Sequence, residues 1–362
     1  MLDEKIKEIE DEIRRTPYNK ATQRHIGILK AKLAKLKKAE RTEGARSGSK
    51  EGYSIRKAGN ATILLIGLPS VGKSTLLNRL TNASSKVADY AFTTLKIEPG
   101  ILEYKGARMQ ILDAPGLIKG AASGRGRGRE ILSIARAADL ILILIDVFNL
   151  SQLDVISREL WETGLRLDRR PPNVRIKQKS RGGLNVNSTI KLTKLDEETV
   201  KDLLRGYGMH NAEVVIRQDI NMDEFLDALA GNRIYIPSLI VLNKMDLVKK
   251  DYLGEVRRHL PRQYLPISAA KGTNLDELKE AMFQRLNFIR VYLKPQGEKS
   301  DLEEPMIVLK NTTVGDLCDR LHTDLKKNFK YAQVWGSSAK HDGQRVGVRH
   351  KLKDKDVLMI VS

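Results

Sequence analysis

Ala61-Thr62-Ile63-Leu64-Leu65-Ile66-Gly67-Leu68-Pro69-Ser70-Val71-Gly72-Lys73-Ser74-Thr75 is the stretch that decides the fold. A short, apolar, β-rich run, Thr62 to Ile66, ends at a glycine. A turn of six residues follows, and then a segment that can form a helix. From Gly67 the residues fit G-x-x-x-x-G-K-[ST], the pattern of a phosphate-binding loop. Its glycines let backbone N–H groups converge on phosphate oxygens. Lys73 brings a cation to the β- and γ-phosphates, and the Ser74 hydroxyl is a hard oxygen ligand suited to Mg²⁺. Residue frequencies give about 0.02 chance matches to this pattern in the chain, so coincidence is a poor explanation.

Three further motifs follow in chain order. Asp113-Ala114-Pro115-Gly116 ends the apolar run Met109 to Leu112. D-x-x-G alone carries no weight, with about 1.7 chance copies expected, but after a phosphate loop it places Asp113 near Mg²⁺ and the Gly116 N–H near a γ-phosphate. Asn243-Lys244-Met245-Asp246 ends the run Ser238 to Leu242. N-K-x-D is rarer, with about 0.1 chance copies. An aspartate there accepts two hydrogen bonds from guanine, whereas adenine offers no such donor pair and would leave the carboxylate unpaired. Ser268-Ala269-Ala270-Lys271 follows Tyr264 to Ile267 and places the Ala269 N–H to meet the guanine carbonyl. Thr93-Thr94 lies between the phosphate loop and Asp113, where Thr94 completes a Mg²⁺ shell in mobile switch loops; a plain strand threonine is an equal reading.

Unbroken apolar runs at 62–66, 109–112, 140–145 and 238–242, alternating with helical stretches at 73–81, 128–137 and 151–162, are the mark of an α/β domain with a parallel sheet covered on both faces. Other segments surround this domain. Leu2, Ile6, Ile9 and Ile13 form one helical stripe, and Pro17 ends it. Ile26, Leu29, Leu33 and Leu36 form a second, with lysines interleaved, so residues 1–58 read as a helical hairpin and linker. The basic second helix is either a packing helix with a solvated face or a contact for RNA phosphates. Residues 165–235 interrupt the nucleotide domain, whose parts are 59–164 and 236–290. This insertion opens with Arg166, Arg169, Arg170, Arg175, Lys177, Lys179 and Arg181 against one acid, Asp168. Strands at 188–194 and 213–217 and helices at 196–206 and 221–230 make it a small α+β domain. Residues 291–362 read β-α-β-β-β, with strands at 306–309, 331–335, 346–348 and 357–361 and a helix over 313–325. That order suggests a β-grasp module.

The whole chain of 362 residues has 64 Lys plus Arg and 45 Asp plus Glu, a formal net charge of +19. Such an excess points to a polyanionic partner, nucleic acid before membrane, with an inert solvated surface as the plainer reading. The single cysteine, Cys318, excludes an internal disulfide and suits a reducing compartment. No apolar run approaches the roughly 20 residues that span a bilayer, and the first residues lack the apolar core of a secretion signal, so a soluble cytoplasmic protein without a membrane partner is expected. The six histidines have no metal-ligand spacing.

These motifs resemble the GTPase domain of the translation-factor class. The detail around Asp113 to Ala121, the Phe92-Thr93-Thr94-Leu95 loop and the last 60 or so residues resemble the Obg-like GTPases. Asn19-Lys20-Ala21-Thr22, the run Leu29 to Leu36 and the insertion are similar to the DRG branch, the developmentally regulated GTP-binding proteins. The resemblance implies an α/β P-loop GTPase domain with an amino-terminal hairpin, an inserted domain like the second domain of a ribosomal small-subunit protein, and a carboxyl-terminal TGS domain. It also implies a Mg²⁺-dependent GTP switch that binds GTP and GDP and acts with ribosomes or RNA in translation, often with a regulatory partner protein. On this resemblance Lys73, Thr94, Asp113 and Gly116 carry catalysis. Gly67 through Thr75 (Gly67, Leu68, Pro69, Ser70, Val71, Gly72, Lys73, Ser74, Thr75), Asn243, Lys244, Asp246, Ser268, Ala269 and Ala270 hold the nucleotide. Ser74, Thr94 and, through water, Asp113 hold the metal. The position that often carries a water-orienting glutamine is Leu117, so hydrolysis must recruit another group or a cation such as K⁺; some relatives that use K⁺ carry Asn where this chain has Ser70. The glycine- and arginine-rich stretch Gly120 to Arg129, with Arg125, Arg127 and Arg129, reads as a switch loop, an RNA contact or a solvated loop. The rival to an active GTPase is a nucleotide-gated RNA-binding scaffold with negligible catalysis.

Overall fold

The structure is a computed structural model that describes residues 2–17, 19, 22–46, 58–81, 98–113, 132, 134–249, 252–260, 263–297 and 302–362. It divides into two compact units, 1–52 with 164–235, and 53–163 with 236–362.

The first unit starts with α1 (Leu2–Arg15) and α2 (Gln23–Arg46). The chain departs and returns through a two-stranded sheet, β5 (Leu165–Leu167) with β9 (Ile234–Ile236). Between them lies a three-stranded sheet in the order β6-β8-β7, made of β6 (Val174–Gln178), β7 (Leu184–Ser188) and β8 (Ala212–Ile216). β8 runs parallel to β7 and antiparallel to β6. Helices α5 (Glu197–Tyr207) and α6 (Met222–Ala230) cover one face. Both begin at polar caps: the Asp196 carboxylate accepts from the Thr199 N–H, and Asn221 with Glu224 forms a capping box. The core joins Val186, Val214 and Ile216 of the sheet to Leu203, Leu204 and Phe225 of the helices and to Ala31 of α2.

The second amino-terminal helix therefore packs. A Cβ built on Gly27 would lie 2.2 Å from Met222 Sδ, and one on Gly206 3.2 Å from Ile28 Cγ2, so glycines bring α2 against α5 and α6. Two of its lysines pair with acids of neighbouring helices at the surface. Lys30 Nζ lies 2.7 Å from Asp223 Oδ1, and Lys37 Nζ lies 2.7 Å from Glu10 Oε1.

Two readings of the insertion are corrected. The strand expected at 188–194 lies at 184–188, in register with β8. The Ser188 hydroxyl then donates to the Ile190 carbonyl at 2.6 Å and turns the chain. The basic opening of the insertion contains β6: Val174 and Ile176 pack on the core while Arg175 and Lys177 are exposed, so charge masks a period-two pattern.

The second unit contains a six-stranded sheet in the order β11-β10-β4-β1-β3-β2. Its strands are β1 (Ala61–Ile66), β2 (Glu98–Tyr104), β3 (Ala107–Asp113), β4 (Leu140–Asp146), β10 (Ser238–Asn243) and β11 (Tyr264–Pro266). All neighbours are parallel except β2 and β3, a hairpin turned by Lys105 (φ 50°) and Gly106 (φ 81°). Every residue of β1 and β4 is buried, as continuous apolar strands require. The helices are α3 (Lys73–Leu80), α4 (Gln152–Thr163), α7 (Tyr252–His259) and α8 (Leu275–Arg285). β1 is flanked by β3 on one side and β4 on the other, so the chain reverses its winding at the carboxyl end of β1, the usual place for a ligand crevice. Of the helix expected at 128–137, residues 132 and 134–137 are helical and the others lie outside the described residues.

The last module is a five-stranded sheet, β13-β12-β16-β14-β15, from β12 (Phe288–Leu293), β13 (Met306–Leu309), β14 (Tyr331–Trp335), β15 (Gln344–Val346) and β16 (Asp356–Val361). β12 is an additional strand beyond the sequence reading, and its parallel pairing with β16 completes the β-grasp. The helix read as 313–325 is two, α9 (Val314–Leu321) and α10 (Thr323–Lys327). They part at His322, which is extended (φ −163°) and whose ring accepts from the Asp324 N–H. Cys318, on the inner face of α9, is fully buried, and burial pushes its thiol pKa up, so it acts as a small core residue.

Candidate functional site

The loops that follow β1, β3, β10 and β11 carry the motifs, and hydrogen bonds tie three of them together. After β1 the chain takes left-handed backbone at Ser70 (φ 63°) and Gly72 (φ 95°) before entering α3. Gly72 cannot be replaced quietly: an added Cβ would lie 2.4 Å from Asn243 Nδ2. Gly67 is similarly confined, with the Leu144 carbonyl oxygen 2.5 Å from such a Cβ. Val71, between them, is fully buried and anchors the loop in the core.

Asn243 is the strut of the site. Its Nδ2 donates to the Val71 carbonyl at 2.8 Å, and its Oδ1 accepts from the Ala269 N–H at 2.9 Å. One buried amide thus fixes the phosphate loop and the 268–271 turn to the end of β10. The Ala269 N–H, read from the sequence as a donor to the guanine carbonyl, here donates to Asn243, because a buried amide oxygen needs a donor. Arg79 on α3 adds a second tie, donating to the Ala270 carbonyl at 2.8 Å, and no local sequence signal points to it.

Asp246 follows β10 in a short 3₁₀ turn, Met245–Leu247. The Ser268 hydroxyl donates to Asp246 Oδ1 at 2.6 Å and itself accepts from the Lys271 N–H at 3.1 Å. The Ser268 hydrogen bond holds the Asp246 carboxyl below its usual pKa and keeps it an acceptor. Lys244 takes left-handed backbone (φ 66°), and its ammonium lies 3.4 Å from Asp146 Oδ2 at the end of β4. The other Asp146 oxygen accepts from the Phe148 N–H at 2.9 Å.

At the phosphate end, Lys73 Nζ donates to the carbonyls of Gly67 (2.9 Å) and Leu68 (3.0 Å), which holds it across the loop. Burial pushes its pKa down, and the charge of Asp113 partly opposes that. Ser74 Oγ donates to Asp113 Oδ2 at 3.3 Å. Asp113 closes β3 and is 3% exposed, so a hydroxyl and a carboxylate meet at one point beside the loop. That pair of hard oxygen donors fits Mg²⁺. Thr94, Gly116 and Leu117 lie outside the described residues, as do Arg125, Arg127 and Arg129. No helix among the described residues is long and apolar enough to cross a membrane.

Family comparison agrees with this arrangement. Residues 62–178 match the family described as 50S ribosome-binding GTPase, residues 181–288 the C-terminal region of that domain, and residues 289–362 the TGS domain. A GTP-binding protein of Methanocaldococcus jannaschii is 56% identical across 99% of this chain and 93% of its own length. Developmentally-regulated G-protein 3 of Arabidopsis thaliana is 46% identical across 99% and 98%. Developmentally-regulated GTP-binding protein 1 of Xenopus laevis is 45% identical across 99% and 98%. With its P-loop GTPase domain followed by a β-grasp TGS domain, the chain belongs to the developmentally regulated GTP-binding proteins, a family of GTPases.

Proposed function

We propose that this GTPase is a Mg²⁺-dependent switch that cycles between GTP and GDP and acts with RNA, on the ribosome, in the cytoplasm, together with a regulatory partner protein. The observation that carries the nucleotide part is the Asn243 strut, which sets the phosphate loop and the guanine-reading residues at a fixed separation. Asp246, kept ionised by Ser268, accepts from the guanine ring N–H and exocyclic amine. Lys73 and the loop amides stabilise charge on the transferring phosphoryl group. Ser74 and Asp113 would hold Mg²⁺, which when bound neutralises charge between the β- and γ-phosphates. Ser70, left-handed and exposed, stands where some K⁺-using relatives carry Asn, so faster hydrolysis in KCl than in NaCl at equal ionic strength is the test of K⁺.

Base choice gives the first expected outcome. Asp246→Asn exchanges an acceptor pair for a mixed donor and acceptor, leaving one guanine donor unmet. GTP binding should weaken by about 2 kcal/mol and xanthosine triphosphate binding should strengthen. Titration calorimetry with both nucleotides reads this, and unchanged GTP affinity would remove Asp246 from the base pocket.

The RNA part rests on the first unit. Because the lysines of α2 that face α1 and α6 are paired, the support shifts to the outer face of the three-stranded sheet. Arg175 and Lys177 on β6 and Asn185 and Asn187 on β7 are all exposed there. Glu213 shares the face, and Lys179 first, then Lys177 and Arg175, hold its carboxyl below the usual range. If this face meets phosphates, log K for RNA should fall linearly with log salt, by about 0.7–0.9 per phosphate neutralised, and Arg175→Ala with Lys177→Ala should flatten the slope. A flat slope in the unaltered protein would leave these charges as solvated surface.

A further inference from the structure

The TGS module uses only one face of its sheet for its core. Ala332 and Val334 of β14, Val346 of β15 and Leu358 of β16 point toward α9 and pack on Leu317 and Cys318. Strand alternation sends Tyr331, Gln333 and Trp335 to the opposite face, where all three are partly exposed. The register aligns neighbours beside them: Gln333 sits opposite both Met359 and Arg345, and Trp335 sits opposite Val357. Two cations lie on the rings. Lys294 Nζ is 4.8 Å from the Trp335 ring centroid, and the Arg345 guanidinium carbon is 4.4 Å from that of Tyr331. At the other edge of the module, Phe288 and Ile307 join the core of the nucleotide domain, which leaves the β16-β14-β15 portion as the exposed part.

The chemistry of this face is specific. Two aromatic rings four residues apart on one strand stand about 13 Å from each other. Between them lie an amide, a thioether and a guanidinium, and each ring has a cation within reach. The segment 330–355 carries seven Lys or Arg against two acids, Asp342 and Asp354. Asp354 is already taken by Arg290 at 2.7 Å, so the local field favours an anion. An apolar partner peptide would need no such charge. A duplex would offer phosphates but no free base faces to the rings. Unstacked bases offer both, since every base has a face that stacks on an aromatic ring or a guanidinium plane. An ammonium on an exposed ring is held weakly and can move to a phosphate, freeing the ring for a base.

We propose that the exposed β16-β14-β15 face of the TGS module binds single-stranded RNA, with Trp335 and Tyr331 stacking on bases, Lys294 and Arg345 on the adjoining phosphates, and Gln333 reaching a base edge between them. This deepens the RNA reading given above but rests on a different surface. The test uses the full chain loaded with GDP and fluorescence anisotropy with a labelled 12-nucleotide oligouridylate, compared with a 12-base-pair RNA duplex. The single strand should bind more tightly. Trp335→Ala should weaken it about tenfold, and Trp335→Phe should keep most of the affinity. Should Trp335→Ala lose its fold, seen as an earlier transition in a urea melt, Gln333→Glu on the exposed face should give a similar loss through charge alone. Unchanged affinity in the folded variants, or preference for the duplex, overturns the proposal. Arg175→Ala with Lys177→Ala separates the two surfaces: if that pair abolishes all binding while the TGS variants do nothing, RNA remains the partner and this face is not its site.

Discussion

Lys73→Ala should lower GTP hydrolysis by about a hundredfold to a thousandfold while the protein stays folded. The ammonium is held across the phosphate loop by the Gly67 and Leu68 carbonyls, so its position is set before any phosphate arrives. Preorganisation of that kind contributes to the transition state rather than to folding. Burial lowers the Lys73 pKa, so its removal takes a partly desolvated charge out of the fold and should leave the melting temperature nearly unchanged. Single-turnover hydrolysis with excess enzyme, alongside a thermal melt, distinguishes the two effects. A variant that still hydrolyses GTP at the original rate would show that the loop binds the nucleotide without acting on it.

Asp227→Ala should be the most damaging change to stability in the first unit, at about 3–5 kcal/mol. Asp227 is buried on α6, and two arginines converge on it. Arg166 of β5 donates from its terminal nitrogen to Oδ1 at 2.7 Å, and Arg233, just before β9, donates from Nε to the same oxygen at 2.8 Å. Arg166 is 3% exposed, so without Asp227 its charge stays in the interior and loses the carboxylate that two of its nitrogens donate to. The exposed pair Lys30–Asp223 provides the control: Asp223→Ala should cost under about 1 kcal/mol. Urea unfolding of both variants measures the difference, and equal losses would mean that the buried cluster is no stronger than a surface contact.

The parts legible in the sequence were those whose signal is local. The phosphate loop shows itself within nine residues because glycine spacing, a lysine and a hydroxyl are needed together in one turn. β4 shows as an apolar run because both its faces are covered. What stayed hidden depends on distant partners. Asn243 belongs to a recognisable motif, yet its role as a strut depends on Val71 and on Ala269, 26 residues further on. β6 was masked because exposed arginine and lysine occupy alternate positions of a short strand. β12 was missed because its pairing with β16 spans more than 60 residues. Arg79 reaches the 268–271 turn from nearly 200 residues away in sequence.

The sharing of one core by Ala31 with Leu203, Leu204 and Phe225 has a consequence for the order in which the chain is made. On a ribosome the amino-terminal hairpin emerges first, but the surface it packs on is completed only after residue 230. In the interval Ala31 lacks the helices and sheet it packs on, while residues 53–163 are synthesised between the two halves. The hairpin must therefore wait, exposed, and close a loop of well over a hundred residues, a step that is entropically costly and slow. A permuted gene that places the first 46 residues directly before residue 164 should speed folding of the first unit without altering its final structure.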